Sequence, residues 1–466
     1  MCLPPWLRGL PWLLCLLPIA ACALSAQPCR IVLIEREDGW PVPGVELRTV
    51  HGVRLVSDNA GVIACDLPEL MGHETWFSVH GHGYGVKADG FGYRGVRVTP
   101  EPGKTLTVEL DREIIARRLG RLTGAGLFAE CQKLGEEIAW KESGVLGCDS
   151  VVTAELDGRL HWFWGDTNLA HHPLGIFNVS GATTEKFVPP AKPPLRPPYV
   201  YFTARANTAS SESARPRGVA QISGEGPTWI WGAITLPDAD AAPHLVAAAV
   251  KVKGQLHAYR WDLVEWNPHE KLFFPLKTVW TEDAAHPQPP PVPNGHAVPW
   301  TDAAGQKWIL FCNPFPTLRT PATYEGWKNP NAWQPIRPSA TSATPAGEAI
   351  SVHAGHMAWH PWSGKWIAIF TQKGGAPSSL GEIWLTEADE PEGPWVNARK
   401  VLSHDDYTFY NPVLHAEFFS ADSPLLYFEG TYTTMFSRNK QPTPRWEYNQ
   451  VLYQVDLSKP PFKDSQ

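Results

Sequence analysis

The chain has 466 residues, 43% hydrophobic and 19% charged, so it is neither wholly disordered nor a coiled coil and is long enough for a sizeable core. Its 46 prolines and 39 glycines argue against long helices and for many short strands joined by turns. The formal charge is −7 with no cluster of Lys and Arg, which excludes a nucleic-acid footprint, and 22 tryptophans point to flat apolar binding faces as well as to a core.

Residues 1–26 read as a signal peptide. Arg8 is the only charge before the apolar stretch from Leu10 to Ala23, which Pro11 and Pro18 interrupt and which is too short to span a bilayer. Leu24-Ser25-Ala26 offers a small-residue cleavage site, whereas Ile19-Ala20-Ala21-Cys22 resembles a bacterial lipobox that would place a lipid anchor on Cys22. The expected location is therefore extracytoplasmic, in a bacterium, and no later stretch has the character of a transmembrane helix. Five cysteines follow the leader; Cys29 with Cys65 and Cys131 with Cys148 are the pairs to test, against an equally plain reading as buried reduced thiols.

Residues 27–112 read as a small β-sandwich. Ile31–Ile34 and Val45–Val50 are strands, Asp58-Asn59-Ala60-Gly61 is a hairpin turn between 54–57 and 62–65, and Gly95–Val98 and Thr105–Leu110 follow. No candidate catalytic residue lies there, so this unit is expected to be dispensable for chemistry. Asp111 to Leu122 carries Ile114, Ile115 and Leu119 on one side of a helical period and is expected to be a helical connector within a lead-in over 113–147. From 148 to 458 a theme recurs five times: apolar strand, polar turn (at Gly158, Asp238, Gly305, Gly364 and Ser423), aromatic-rich strand. The expected fold is all-β, a five-bladed β-propeller preceded by the sandwich.

Some motifs carry no chemistry. Gly90 to Gly95 matches G-x-G-x-x-G but precedes a strand, not the helix a dinucleotide needs. His73-Glu74 begins H-E-x-x-H, yet Phe77 holds the second ligand position, and no G-x-S-x-G is present. His171, His172, His353 and His356 lack thiolate partners and zinc-finger spacing, so no metal site is expected. No cofactor is expected either, with a channel-bound ion such as calcium the one exception left open.

The carboxylates are more telling. In a propeller, a residue just before a first strand or just after a second faces the same mouth of the central channel. Asp149 and Glu225 stand at the first position, Asp166 and Glu429 at the second. Glycosidic cleavage needs such a pair, one carboxylic acid to protonate the leaving oxygen and one carboxylate to activate water or attack. Asp149, Glu225 and Asp166 are the candidate catalytic residues, with Asp149 and Glu225 the first pair to test. Trp164, Trp229, His296, His356, Asn411, His415 and Glu429 are the candidate substrate-binding residues.

At these residues the sequence resembles known families. Asp149-Ser150-Val151 is similar to the first-blade aspartate of glycoside hydrolase family 43, a general base there, and Glu225-Gly226-Pro227 to that family's E-G-P element, whose glutamate is the acid. Here that element arrives in the second unit, with only Asp166 ahead of it to tune its pKa; Asp405 and Asp406 are weaker alternatives for the acid. Trp164-Gly165-Asp166-Thr167 looks like the G-D-T signature of domain of unknown function 4185. Gly381-Glu382-Ile383-Trp384, Gly393-Pro394-Trp395 and Tyr410-Asn411-Pro412 look like late-blade segments of such propellers, and residues 30–112 resemble carboxypeptidase-regulatory-like, transthyretin-like sandwiches. The resemblance implies an exported glycoside hydrolase acting on a polysaccharide or oligosaccharide, or, alternatively, a propeller that binds carbohydrate without cleaving it.

Overall fold

The computed structural model describes residues 27–136, 144–186, 189, 193–204, 215–337, 339, 341–375 and 379–462. The leader and the Cys22 anchor lie outside the described residues. Within them strands dominate, Tyr324–Lys328 is the single α-helix, and no helix is long and apolar enough to cross a membrane.

The N-terminal unit holds two four-stranded sheets. One orders Val62–Cys65, Cys29–Glu35, Thr105–Arg112 and Tyr84–Gly85; the other orders Arg54–Val56, Glu46–Thr49, Thr75–His80 and Gly95–Val98. Alternation along Cys29–Glu35 buries every second side chain, and Ile31 and Leu33 share one apolar cluster with Leu47, Phe77 and Val79 of the other sheet. Asp58–Gly61 is not a hairpin. The strand before it pairs with Glu46–Thr49 and the strand after it with Cys29–Glu35, so the turn carries the chain between sheets. Asp58 Oδ1 shapes it by accepting from the backbone N–H groups of Ala60 and Val62. Cys29 lies opposite Cys65 across neighbouring strands, yet all five described cysteines are buried free thiols.

The helix expected over 111–122 is also replaced by strand. Thr105–Arg112 runs through its start, and Arg117–Arg121 adds to the edge of Asn449–Asp456. That edge supplies ladder partners which local helical periodicity cannot match. Arg118 is fixed there at 3% exposure, its guanidinium donating to the carbonyls of Pro43, Gly44 and His82 and to the Tyr453 hydroxyl. The N-terminal unit is thus bonded into the rest, and a truncation starting near Leu119 would cut through this strand. Arg118→Ala should destabilise the protein by about 3 kcal/mol or more, because three carbonyls lose a donor at about 1–3 kcal/mol each; urea unfolding measures it.

Five antiparallel sheets follow, numbered 1 to 5 here. Their first long strands are Val151–Leu156, Thr228–Pro237, His296–Thr301, Ala349–His360 and Thr408–Leu414, and each packs against the next. The expected turns at Gly158, Asp238, Gly305, Gly364 and Ser423 each fall between a sheet's first long strand and the one that returns beside it. Sheet 5 takes its outer strand, Arg117–Arg121, from the segment that precedes sheet 1. A three-stranded ribbon, Val145–Cys148, Thr167–Leu169 and His172–Ile176, extends beyond sheet 1.

Candidate active site

The site begins where two paired strands leave one sheet for another. Val151–Leu156 pairs with Arg159–Trp164, whereas Val145–Cys148 pairs with Thr167–Leu169. The two residues skipped on each side, Asp149-Ser150 and Gly165-Asp166, face each other. The Asp149 N–H donates to the Asp166 carbonyl at 3.1 Å and the Gly165 N–H to the Asp149 carbonyl at 2.8 Å. Ser150 takes a left-handed φ of 44°, and Asn411, across from it, one of 49°. Such conformations cost about 1–3 kcal/mol each and persist where surroundings enforce them. Here Asn411 Nδ2 donates to Ser150 Oγ at 2.7 Å, and the Ser150 N–H donates to Thr431 Oγ1 at 2.9 Å.

The kink releases both carboxylates from the ladder. Asp149 Oδ2 accepts from the Tyr410 hydroxyl at 2.9 Å, and Tyr448 supplies a second hydroxyl to the same carboxylate. Burial raises the Asp149 pKa, with these tyrosines pulling against it. Asp166 is 8% exposed and accepts from Trp229 Nε1 at 3.0 Å. Burial first, then the charge of Asp149, push its pKa up to about 7, against the indole donor. Gly165 is needed between them, since a Cβ there would stand 2.2 Å from Asp149 Oδ1.

A cavity of about 170 Å³ opens beside this pair, lined by Asp149, Ser150, Gly165 and Asn411 together with Trp164, Trp229 and Trp231. Asp149, Trp164, Trp229 and Asn411 therefore line one place, and Asp166 is joined to it through Trp229 Nε1 and the Asp149 backbone. Glu225 is not. It is exposed, and its carbonyl accepts from the Tyr259 hydroxyl at 2.8 Å. Left-handed Gly224 and Gly226 bend its loop, and buried Lys251 donates to the carbonyls of Ile222 and Gly226, tying that loop to the second strand of sheet 2. Asp405, too, is exposed and outside the cavity.

The remaining candidates form a second group. His296 and His356 meet at 4.6 Å between ring centroids and, with Glu417, help line a cavity of about 540 Å³ between the first strands. Burial lowers the His356 pKa to about 4 and that of His296 well below its usual range. His415 lies between Glu417 Oε1 at 2.9 Å and Glu429 Oε1 at 3.0 Å. Burial disfavours its charge, yet the two carboxylates outweigh that and raise it to about 10. Glu429 is fully buried and its pKa is raised by burial despite His415, so it serves the interior of sheet 5 rather than the first cavity. Among the described residues no three His, Cys, Asp or Glu side chains come together as a metal site.

Sequence reasoning missed Tyr448, Thr431 and the role of Gly165. Nothing local marks Tyr448 or Thr431, each some 280 to 300 residues from Asp149. Gly165 could have been read from its place between Trp164 and Asp166 in the G-D-T element.

No protein-family model and no curated protein matches the chain. Solved structures do. An exo-1,5-alpha-L-arabinanase from a bovine ruminal metagenomic library is 12% identical with a TM-score of 0.37, over 67% of this chain and 94% of that one. A glycoside hydrolase family 43 protein from Bacillus licheniformis is 9% identical with a TM-score of 0.37, over 67% and 72%. An N-acetylgalactosamine deacetylase from F. plautii is 10% identical with a TM-score of 0.36, over 68% and 91%.

Proposed function

We propose that sheets 1 to 5 are the blades of a five-bladed β-propeller, that the N-terminal unit is a β-sandwich docked on it, and that the protein is an exported glycosidase. Residues 1–26 are the basis for export. The observation that carries the activity is the pair Asp149 and Asp166, bonded backbone to backbone beside one cavity: Asp149 lines it, and Asp166, its pKa pushed up to about 7, is joined to it through the lining Trp229. Asp166 holds a proton near neutrality and supplies it to the leaving oxygen; Asp149, placed by Tyr410 and Tyr448, acts as base or nucleophile. The acid role thus moves from Glu225 to Asp166. Trp229, half-buried at the cavity, offers a flat face to a sugar ring, whereas the Trp164 ring is buried in the core against Trp162, Tyr199 and Tyr201 and reaches the site only as part of its wall.

Incubation with a panel of plant, algal and bacterial glycans, followed by measurement of reducing ends, tests this reading. New reducing ends are expected from at least one glycan. Binding without release would favour the non-catalytic carbohydrate-binding alternative, and neither would end the glycan reading. On the glycan identified, Gly165→Ala should lower kcat/KM about 100-fold, because the new methyl displaces the Asp149 carboxylate from Tyr410, and an ångström of misplacement has that effect. Its thermal midpoint should move little, since the atom in the way is a side-chain tip.

A further inference from the structure

Two large apolar side chains stand exposed beside the carboxylate pair, one on each flank. Phe177 is 47% exposed and meets Trp229 edge to face at 6.3 Å between centroids; Trp229 in turn donates to Asp166. Phe436 is 62% exposed and meets Tyr410 in the same manner at 5.6 Å; Tyr410 donates to Asp149. Each phenylalanine is therefore one ring away from one carboxylate. The chain decides the sides. Phe177 follows the ribbon of sheet 1 and leans on the first strand of sheet 2, whereas Phe436 lies in the connection between the second and third strands of sheet 5. Asp149 and Asp166 lie between them. Leu174, 38% exposed, and Met435, 45% exposed, stand near each phenylalanine along the chain.

Folding alone does not account for the Phe436 ring. It sits at a left-handed φ of 63°, where a bulky residue is strained by about 1–3 kcal/mol, and it faces solvent. Apolar surface kept in the open beside a cavity marks a place where something apolar docks. The cavity itself, at about 170 Å³, is well below the usual 300–1,000 Å³ of sites for larger ligands and has room for about one sugar ring.

We infer that Phe177 and Phe436 hold the two neighbours of the ring in the cavity, so that the substrate is an internal stretch of a linear glycan and cleavage is endo. This rests on the glycosidase reading above. The Phe177 flank adjoins Asp166, which protonates the leaving oxygen, so it receives the ring on the leaving side. The Phe436 flank adjoins Asp149 and receives the ring on the opposite side. An enzyme that trims chain ends would close that second flank with a wall, and among the described residues an exposed ring stands there instead. A sugar presents a C–H face to an aromatic ring, and such contacts are worth about a 2- to 10-fold difference in affinity.

The test uses the full chain, a panel of soluble linear glycans with their tetrasaccharides, and the α- and β-glycosyl fluorides of the constituent sugars. Wild type should release mixed oligosaccharides from the first time points, with an early fall in viscosity. Phe177→Ala and Phe436→Ala should each raise KM for the tetrasaccharide about 2- to 10-fold, and that loss should exceed the loss on the fluoride, which spans neither flank. Circular dichroism of both variants should match wild type. Release of monosaccharide alone, or wild-type KM for the tetrasaccharide in both variants, overturns the endo assignment while leaving the glycosidase reading intact. If wild type cleaves no glycan and no fluoride, the glycosidase reading fails and this inference with it.

Discussion

Asp149→Asn and Asp166→Asn should each lower turnover of an oligosaccharide by about 10²–10⁴-fold, the usual contribution of general acid–base help. The two losses should differ in kind. Fluoride leaves with little protonation, so a glycosyl fluoride should restore much of the rate in Asp166→Asn and none in Asp149→Asn. The pH profile separates them as well. With its pKa pushed up to about 7 in the unliganded protein, Asp166 loses its proton as the pH rises through neutrality, so kcat/KM of wild type should fall on the alkaline side from about pH 7. That limb should vanish in Asp166→Asn. Glu225→Gln should behave like wild type, because its side chain is exposed and outside the cavity. Equal losses on fluoride and oligosaccharide would remove Asp166 from the acid role, and wild-type turnover in both aspartate variants would remove the pair.

What could be read from sequence was what depends on near neighbours. The turns at Gly158, Asp238, Gly305, Gly364 and Ser423 follow from polar residues between apolar runs, and each joins two adjacent strands. Asp149 and Asp166 were legible for the same reason: each stands within two residues of a strand end, and strand pairing alone brings them together. Arg117–Arg121 was not, because its state is decided by an edge some 330 residues later. Alternation in a five-residue strand is too short a record to outweigh a helical pattern beside it. Glu225 misled because the rule that a residue ahead of a first strand faces the channel holds only if the chain enters straight. Two left-handed glycines and Lys251 turn that approach aside, and the lysine comes from the next strand, where it reads as one more surface charge. Asp58–Gly61 carried correct turn chemistry with the wrong consequence, since an Asx turn sets the local bend and not the sheet its exit strand joins.

Asp166→Asn should also make the protein more stable in mild alkali, by about 2–4 kcal/mol at pH 8. The sign follows from the direction of the shift. A carboxyl whose folded pKa is raised contributes stability that is fully present below its unfolded pKa, here near 3.8, and is lost as the pH rises through its folded pKa, about 7. At about 1.4 kcal/mol per pH unit over roughly three units, the ionised, buried Asp166 then costs about 4 kcal/mol. Asparagine keeps the oxygen that accepts from Trp229 Nε1 and never takes the charge. Urea unfolding of both proteins should therefore give nearly equal stabilities at pH 4 and a clear advantage to the variant at pH 8. A variant no more stable than wild type at pH 8 would mean that Asp166 does not hold its proton near neutrality, and the acid assignment would lose its basis. The conjunction is what discriminates, since a substitution that merely disturbed the fold would lower rate and stability together, whereas a buried acid kept for chemistry loses rate and gains stability when its charge is removed.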